Sequence, residues 1–229
     1  MKRFWTHVTV EEAADGVAVL LDGRPIMTPE RRPLAVPRRA LAEAIAEEWR
    51  AAGPLVHPEE LRLTGLANAA LDHAGPARES FAARLSDYAA CDTLCYRAEA
   101  PEILVARQMT IWEPLMEAVE ARLDTRFLRQ TGVEFQPQPE PALERVRAAY
   151  AAQGPFRLAA LSPVVSITAS AILGLALAEG LASADEIWRA GLLEEMFQAE
   201  RWGEDADAAA SRALRRSAFD AGVRLLALA

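Results

Sequence analysis

The chain has 229 residues, a formal net charge of -8 and a sequence pI of about 5.1. A composition of 52% hydrophobic and 25% charged residues is that of a globular protein and excludes a disordered chain. The acidic balance argues against a protein that follows nucleic-acid phosphates. The basic residues are arginines apart from Lys2, a bias that a GC-rich genome explains.

The first third of the chain is predicted to form a small sheet. Residues Phe4 to Val10 alternate between two sets of side chains, a period of two that is typical of a strand. Asp22 and Gly23 predict a two-residue hairpin turn, because glycine tolerates positive φ. Pro25 places the following short strand at an edge. The predicted strands span residues 4–10, 17–21, 24–27 and 34–36.

One predicted helix covers this sheet. Leu41, Ile45 and Trp49 recur every four residues and form an apolar stripe on a helix from about residue 38 to residue 52. Gly53 and the proline after it end the helix. We therefore expect an N-terminal α+β domain over residues 1–75.

The rest of the chain is predicted to be helical. We expect a C-terminal helical bundle domain over residues 76–229, so the fold class is α+β. Ser183 and Glu186 fit a capping box at a helix start. Three prolines between residues 132 and 141 predict a rigid extended connector. The predicted helices span residues 78–90, 101–119, 142–152, 161–178, 183–202 and 206–228.

One predicted helix is apolar enough to resemble a membrane span. Residues Leu161 to Ala178 carry no charge over 18 positions, the short end of the spanning range. The stretch also contains serines, a threonine, a proline and Gly174. A buried helix at the centre of a soluble bundle explains this composition better than membrane insertion does.

A search for catalytic and metal-binding motifs is mostly negative. The sequence contains no phosphate-binding loop, no dinucleotide-binding glycine pattern and no nucleophile elbow. A metal site formed by His73, Cys91 and Cys95 is conceivable, although a cysteine beside large apolar residues is more often a small core residue. The two cysteines, four positions apart on a predicted helix, are expected to be free thiols in a reducing compartment.

An acid on an apolar helix face is the least ordinary feature of the helix over residues 183–202. On an ideal helix, Glu200 lies one turn from Met196 and Phe197, on the arc that also holds Leu193. A carboxylate there is costly unless it is paired. It is therefore either a buried ion pair with an arginine of a neighbouring helix or an acid kept for a partner.

The same region concentrates the negative charge of the chain. From Asp185 to Asp207 there are eight acids and two bases, a net charge of -6. Such a run is most often a solvated helix end. The alternative is an acidic surface that attracts a basic partner and speeds their encounter.

Seven short blocks, spread over nearly the whole chain, carry a family resemblance. The first four are Lys2-Arg3-Phe4-Trp5, Leu21-Asp22-Gly23-Arg24-Pro25 with Thr28-Pro29, Ala44-Ile45-Ala46-Glu47-Glu48-Trp49, and Leu66-Ala67-Asn68. The others are Asp92 with Cys95-Tyr96-Arg97-Ala98-Glu99, Gln108 with Trp112, Pro114 and Leu115, and Gln198-Ala199-Glu200-Arg201-Trp202-Gly203-Glu204-Asp205. Together they resemble the ATP synthase F(1)-sector assembly chaperones that bind the alpha subunit.

The resemblance implies a β-containing N-terminal domain followed by an orthogonal helical bundle. It also implies a chaperone, not an enzyme, that holds newly made alpha subunit until the beta subunit replaces it. No cofactor, metal, nucleic acid or small-molecule substrate is implied. Relatives in mitochondria would lie in the matrix. Because the chain opens without a signal or presequence, we expect a bacterial cytoplasmic protein.

The partner-binding residues are predicted in the most specific block. Glu200, Trp202 and Asp205 are the main candidates and Gln198 is a lesser one, because tryptophan is enriched at the energetic centres of interfaces. The alternative function is a small hydrolase or transferase built on acidic residues. That alternative predicts a concave pocket with converging carboxylates and a strongly shifted pKa.

Overall fold

The structure is a computed structural model that describes residues 2–132 and 135–229. The helices are α1 Arg39–Ala51, α2 Arg62–Ala69, α3 Arg78–Ser86, α4 Glu102–Leu123, α5 Glu140–Ala151, α6 Pro155–Thr168, α7 Ala171–Ala178, α8 Ala184–Gly191, α9 Leu193–Trp202 and α10 Ala206–Leu228. The strands are β1 Val8–Ala13, β2 Gly16–Leu21, β3 Arg24–Pro25, β4 Ala35–Val36, β5 Tyr96–Arg97 and β6 Gln130–Thr131. The predicted α+β fold class is confirmed. Two residues of the predicted connector, Val133 and Glu134, lie outside the described ranges.

The chain divides into two compact units that are not continuous in sequence. Unit 1 comprises Met1–Phe81, Gly154–Ala160 and Ala221–Ala229, and unit 2 comprises Ala82–Gln153 and Leu161–Asp220. The boundary proposed near residue 75 stays a prediction.

The sheet of unit 1 is built on an antiparallel hairpin. β1 pairs with β2 from Val8 opposite Leu21 onward, and β2 also pairs with β3 and β4. The predicted hairpin turn is confirmed, with φ of 47° at Asp22 and 78° at Gly23. The predicted start of the first strand at residue 4 is wrong. The carboxylate of Asp22 accepts hydrogen bonds from the backbone N–H groups of Thr6 and His7, and the paired register begins only at Val8.

The helix predicted to cover the sheet is confirmed as α1. Leu41, Ile45 and Trp49 are all buried in the core of unit 1. α1 also fixes the start of α2, since the carboxylate of Glu48 accepts hydrogen bonds from Leu63 N at 2.7 Å and Thr64 N at 3.0 Å. These bonds satisfy donors that the first turn of a helix leaves free.

The uncharged stretch in the second half of the chain is two helices, not the single one predicted. α6 ends at Thr168, Ala169 takes a left-handed φ of 48°, and Ser170 caps α7 by accepting a hydrogen bond from Leu173 N. Every residue from Ala171 to Ala176 is buried. Within residues 2–132 and 135–229, no helix has both the length and the hydropathy that a bilayer crossing requires.

The predicted helices around the cysteines and after Ser183 are also interrupted. α3 ends at Ser86, and the cysteines fall in separate 3₁₀ turns, Asp87–Cys91 and Thr93–Cys95, so they are not four apart on one helix. Both are free thiols, Cys91 exposed and Cys95 buried. The capping box at Ser183 is confirmed, but the helix that it starts ends at Gly191 and α9 begins two residues later.

Candidate functional site

The predicted partner-binding residues lie where α9 ends and α10 begins, here called the α9–α10 corner (residues 198–211). Gly203 ends α9 with a positive φ of 85°, a conformation that glycine adopts without strain. Asp205 then caps α10 by accepting a hydrogen bond from Ala208 N at 2.7 Å. Each residue from Arg201 to Ser211 is exposed. The corner is therefore ordered by local capping rather than by burial.

Trp202 is the largest solvent-exposed apolar side chain of the corner. Its residue is 72% exposed, whereas Phe197, five residues earlier on α9, is buried. The guanidinium of Arg201 lies 5.8 Å from the Trp202 ring centroid, a cation–π distance. An indole in this position presents a large rigid area at a low cost in side-chain entropy.

A groove of about 460 Å³ opens beside Trp202 between α9 and α10. Ala199, Gly203 and Ala208 contribute little side-chain bulk to its lining, and Gln198 also lines it. The remaining lining residues are Glu195, Trp202, Glu204, Asp205, Ser211, Arg212 and Arg215. The groove thus brings together Gln198, Trp202 and Asp205, and it leaves room for a side chain of a partner.

Arginines of α10 pair with two acids of this groove, Glu195 and Glu204. Glu195 accepts hydrogen bonds from Arg212 Nε at 3.0 Å and from Arg215 Nη2 at 2.6 Å. The Arg215 hydrogen bond is the largest of the effects that hold the pKa of Glu195 below its usual value. Arg212 also pairs with Glu204 at 2.5 Å. Arg212 and Arg215 were not among the predicted site residues, although their spacing of three on a helix places them on one face.

The prediction that Glu200 lies inside an apolar arc is wrong. Its side chain is 54% exposed and pairs with Arg107 of α4 at 2.6 Å. The buried face of α9 consists of Leu193 and Phe197, and Met196 already lies at its rim. Glu200 therefore has the interhelical arginine partner that was one of the two alternatives, but on the surface, where a partner protein can reach it.

Most of the acids between residues 185 and 207 are occupied within the chain. Asp185 pairs with Arg216, and Glu194 accepts a hydrogen bond from Gln108. Glu186 accepts hydrogen bonds from Ser183 in the capping box. Arginines and helix N-termini therefore balance much of this negative charge. The net charge of -6 counted over residues 185–207 overstates the electrostatic attraction that a basic partner would experience.

A second acid with unusual surroundings, Asp92, lies away from the corner and was not selected as a site residue. It is fully buried, and burial raises its pKa to about 6 despite hydrogen bonds from Ile172 N and Ser170 Oγ that favour the carboxylate. It does not line the α9–α10 groove. Among the described residues, no group of three or more His, Cys, Asp or Glu side chains is arranged to hold a metal ion.

Known proteins share both the sequence and the architecture. A family model described as ATP12 chaperone protein matches residues 2–120. The crystal structure of Atp12 from Paracoccus denitrificans matches with a TM-score of 0.93 and 40% identity, over 99% of this chain and 97% of that one. The Atu1473 protein of Agrobacterium tumefaciens matches with a TM-score of 0.94 and 37% identity, over 99% and 85%. Mitochondrial protein atp12 of Schizosaccharomyces pombe is 26% identical over 219 residues, 90% of this chain and 75% of the relative.

Proposed function

Because the chain belongs to the ATP12 chaperone family, we propose that it binds the unassembled alpha subunit of the F-type ATP synthase and shields its interface until the beta subunit replaces the chaperone. The resemblance carried by seven sequence blocks is confirmed at the level of the family. An unassembled subunit exposes apolar surface that belongs in an interface, and such patches aggregate unless they are covered. A chaperone that must later leave needs a moderate, partly polar contact.

The observation that carries this proposal is the exposure of Trp202 beside an open groove. Tryptophan supplies a large share of the binding energy when a partner covers it, and small groove residues let that partner approach closely. Because the exposed residues of the corner run without interruption from Arg201 to Ser211, the partner can contact α9 and α10 together.

The polar candidates have different parts in this contact. Glu200 is exposed beside Arg107, so an arginine of the partner can share or replace that pairing. Gln198 lines the groove and offers an amide to a backbone segment. Asp205 already caps α10, so its contribution is to hold the corner in shape as well as to meet a donor.

The rival proposal, a hydrolase or transferase built on acidic residues, needs a carboxylate of shifted pKa in an open cleft. Asp92 has the shifted pKa but is sealed inside unit 2, where its hydrogen bonds come from Leu94, Ser170 and Ile172. These bonds join a 3₁₀ turn to the start of α7, which is a structural role. Catalysis by the acids of the chain therefore has less support than partner binding.

A bacterial cytoplasmic location is part of the proposed chaperone function.

Capture of purified alpha subunit by the immobilised chain tests the proposal. We expect Trp202→Ala to weaken capture about thirtyfold or more, because truncation of a central interface tryptophan costs upwards of about 2 kcal/mol. Glu200→Gln should weaken it less, since an exposed ion pair contributes about 0–1 kcal/mol. Leu214→Ala is the matched control, because Leu214 is 64% exposed on α10 and does not line the groove.

Two results would contradict the proposal. If the unaltered chain captures no alpha subunit, the proposed partner is wrong. Equal capture by Trp202→Ala, Glu200→Gln and the Leu214→Ala control removes the α9–α10 corner as the binding surface. All variants should keep the circular-dichroism spectrum of the parent, since each altered side chain is more than half exposed.

A further inference from the structure

Unit 1 carries an open cleft that the proposed function does not use. Its volume is about 660 Å³, and its lining residues are Lys2, Arg3, Trp5, Gly53, Pro54 and Leu55. Leu55 is 55% exposed, and the adjacent Phe4 is 72% exposed. Leu55 therefore exposes apolar surface in the cleft, and the Phe4 ring exposes more beside Trp5, a residue of the cleft lining. A monomeric protein normally leaves such side chains scattered singly.

The segment that carries Phe4 is firmly attached. Lys2 forms an antiparallel bridge with Leu55, and Arg3 N donates to Pro54 O at 3.0 Å. The Arg3 guanidinium donates to Ala52 O at 2.7 Å, next to the end of α1, where carbonyl groups lack helical donors. The exposure of Phe4 is thus built into the backbone pairing of its neighbours.

The buried neighbour of Phe4 holds the ring in place. The rings of Phe4 and Trp5 meet edge to face with centroids 5.2 Å apart, and Trp5 is only 4% exposed. Trp5 in turn packs against Trp49 at 4.9 Å and donates its indole N–H to Trp49 O. Phe4 is therefore a rigid apolar contact on a core support, which lowers the entropy that a partner must remove on binding.

The charge of the cleft is opposite to that of the whole chain. Its lining contains two cations and no acid, in a chain of net charge -8. The Arg3 guanidinium is occupied by backbone carbonyls. Lys2 is exposed, and among the described residues its ammonium has no hydrogen-bond or ion-pair partner. The cleft therefore offers an unpaired ammonium next to apolar surface, so a fitting occupant carries a carboxylate next to an apolar side chain.

We infer that this cleft is a second contact surface, which receives a segment of the alpha subunit carrying a bulky apolar side chain next to an Asp or Glu. The inference rests on the proposed function, because it assigns the same partner to a second surface. The apolar side chain packs on Leu55 in the cleft and on the neighbouring Phe4 ring, and the carboxylate pairs with Lys2. Two contacts on one partner make capture tighter than either contact alone, when both are engaged together.

The test uses the full chain and purified alpha subunit. The double variant Phe4→Ser/Leu55→Ser should lower the affinity about tenfold, a change of about 1.4 kcal/mol. Lys2→Glu should lower the affinity severalfold and weaken its salt dependence. Lys2→Arg should keep the affinity of the parent, because only the positive charge is required. A photoreactive phenylalanine analogue at position 4 should cross-link to an alpha-subunit peptide that contains an acidic residue. The same analogue at position 214 is the control and should not.

The outcomes separate this inference from the proposed function. If Trp202→Ala loses capture while the Phe4→Ser/Leu55→Ser variant keeps it, the second contact is wrong and the proposed function stands. If the unaltered chain captures no alpha subunit, both fail. If the double variant instead dissolves a dimer of the chain, detected by light scattering, the occupant is a second copy and the inference is overturned.

Discussion

The most unusual single residue is Asp92, a buried acid that has no cationic partner in the described part of the chain. Its carboxylate accepts hydrogen bonds from Leu94 N at 3.1 Å, Ser170 Oγ at 2.7 Å and Ile172 N at 3.0 Å. Thr93 N also donates to Ala169 O, across the break between α6 and α7. Asp92 therefore ties a 3₁₀ turn to the start of α7, which is why the apolar stretch breaks there.

The raised pKa of Asp92 predicts a specific dependence of stability on pH. Because its pKa is about 6 in the native state and its ordinary value is lower, the native state binds more protons between about pH 4 and pH 6. The contribution of this group to the free energy of unfolding is thus largest at low pH. It declines as the pH rises through 6, by about 3 kcal/mol in all.

Denaturant unfolding of the parent chain and Asp92→Asn measures this contribution. Asparagine does not titrate, so the difference in unfolding free energy between the two proteins should fall by about 2 kcal/mol from pH 4 to pH 7.5. Other titrating groups cancel in the difference. Parallel curves over that interval would show that the Asp92 carboxyl does not titrate as its burial requires.

At the scale of elements, close helix packing depends on glycine. A Cβ at Gly174 in α7 would lie 2.6 Å from Val165 Cγ2 and would also overlap the Tyr150 hydroxyl, whereas a Cβ at Gly65 in α2 would meet nothing within 4 Å. Gly174→Ala should therefore lower the unfolding free energy by about 1–3 kcal/mol. Gly65→Ala should raise it by about 0.5–1 kcal/mol, since alanine favours a helix. Thermal unfolding of the two variants checks the opposite signs.

Elements whose signals are local could be predicted from the sequence. The Asp22-Gly23 turn, the apolar stripe of α1 and the Ser183 capping box each depend on residues a few positions apart, and each is confirmed. The breaks at Ala169 and Leu192 could not be predicted. The first is stabilised by Asp92, more than 70 residues away, and next to the second, Gly191 packs closely against Thr168.

The candidate site was predictable in its location but not in its electrostatics. An arginine-tryptophan-glycine sequence at a helix end is visible in the chain, and the structure exposes Trp202 there. The partners of the acids are not visible. Arg107 reaches Glu200 across 93 positions, and Arg212 and Arg215 reach Glu195 across 17 and 20. Ion pairs between distant helices depend on how the helices pack, and a count of charges in the sequence gives no information about that packing.

At the scale of the whole molecule, unit 1 depends on the last residues of the chain. Leu225 near the end of α10 is fully buried in the core cluster that contains Val19, Leu41 and Ile45. Ala159 and Ala160, in the segment Gly154–Ala160, belong to the same cluster. A fragment limited to residues 1–75 therefore lacks part of its own core, and we expect it not to fold stably.

A pair of substitutions on α10 tests this dependence. Leu225→Ala should lower the unfolding free energy by about 2–5 kcal/mol, because it leaves a cavity in the core of unit 1. Leu214→Ala, on the same helix but 64% exposed, should change it by less than about 0.5 kcal/mol. Hydrogen exchange locates the effect: Leu225→Ala should speed exchange at the β1–β2 amides. Unchanged protection there would mean that the N-terminal α+β unit folds without the C-terminal segment, as a boundary at residue 75 requires.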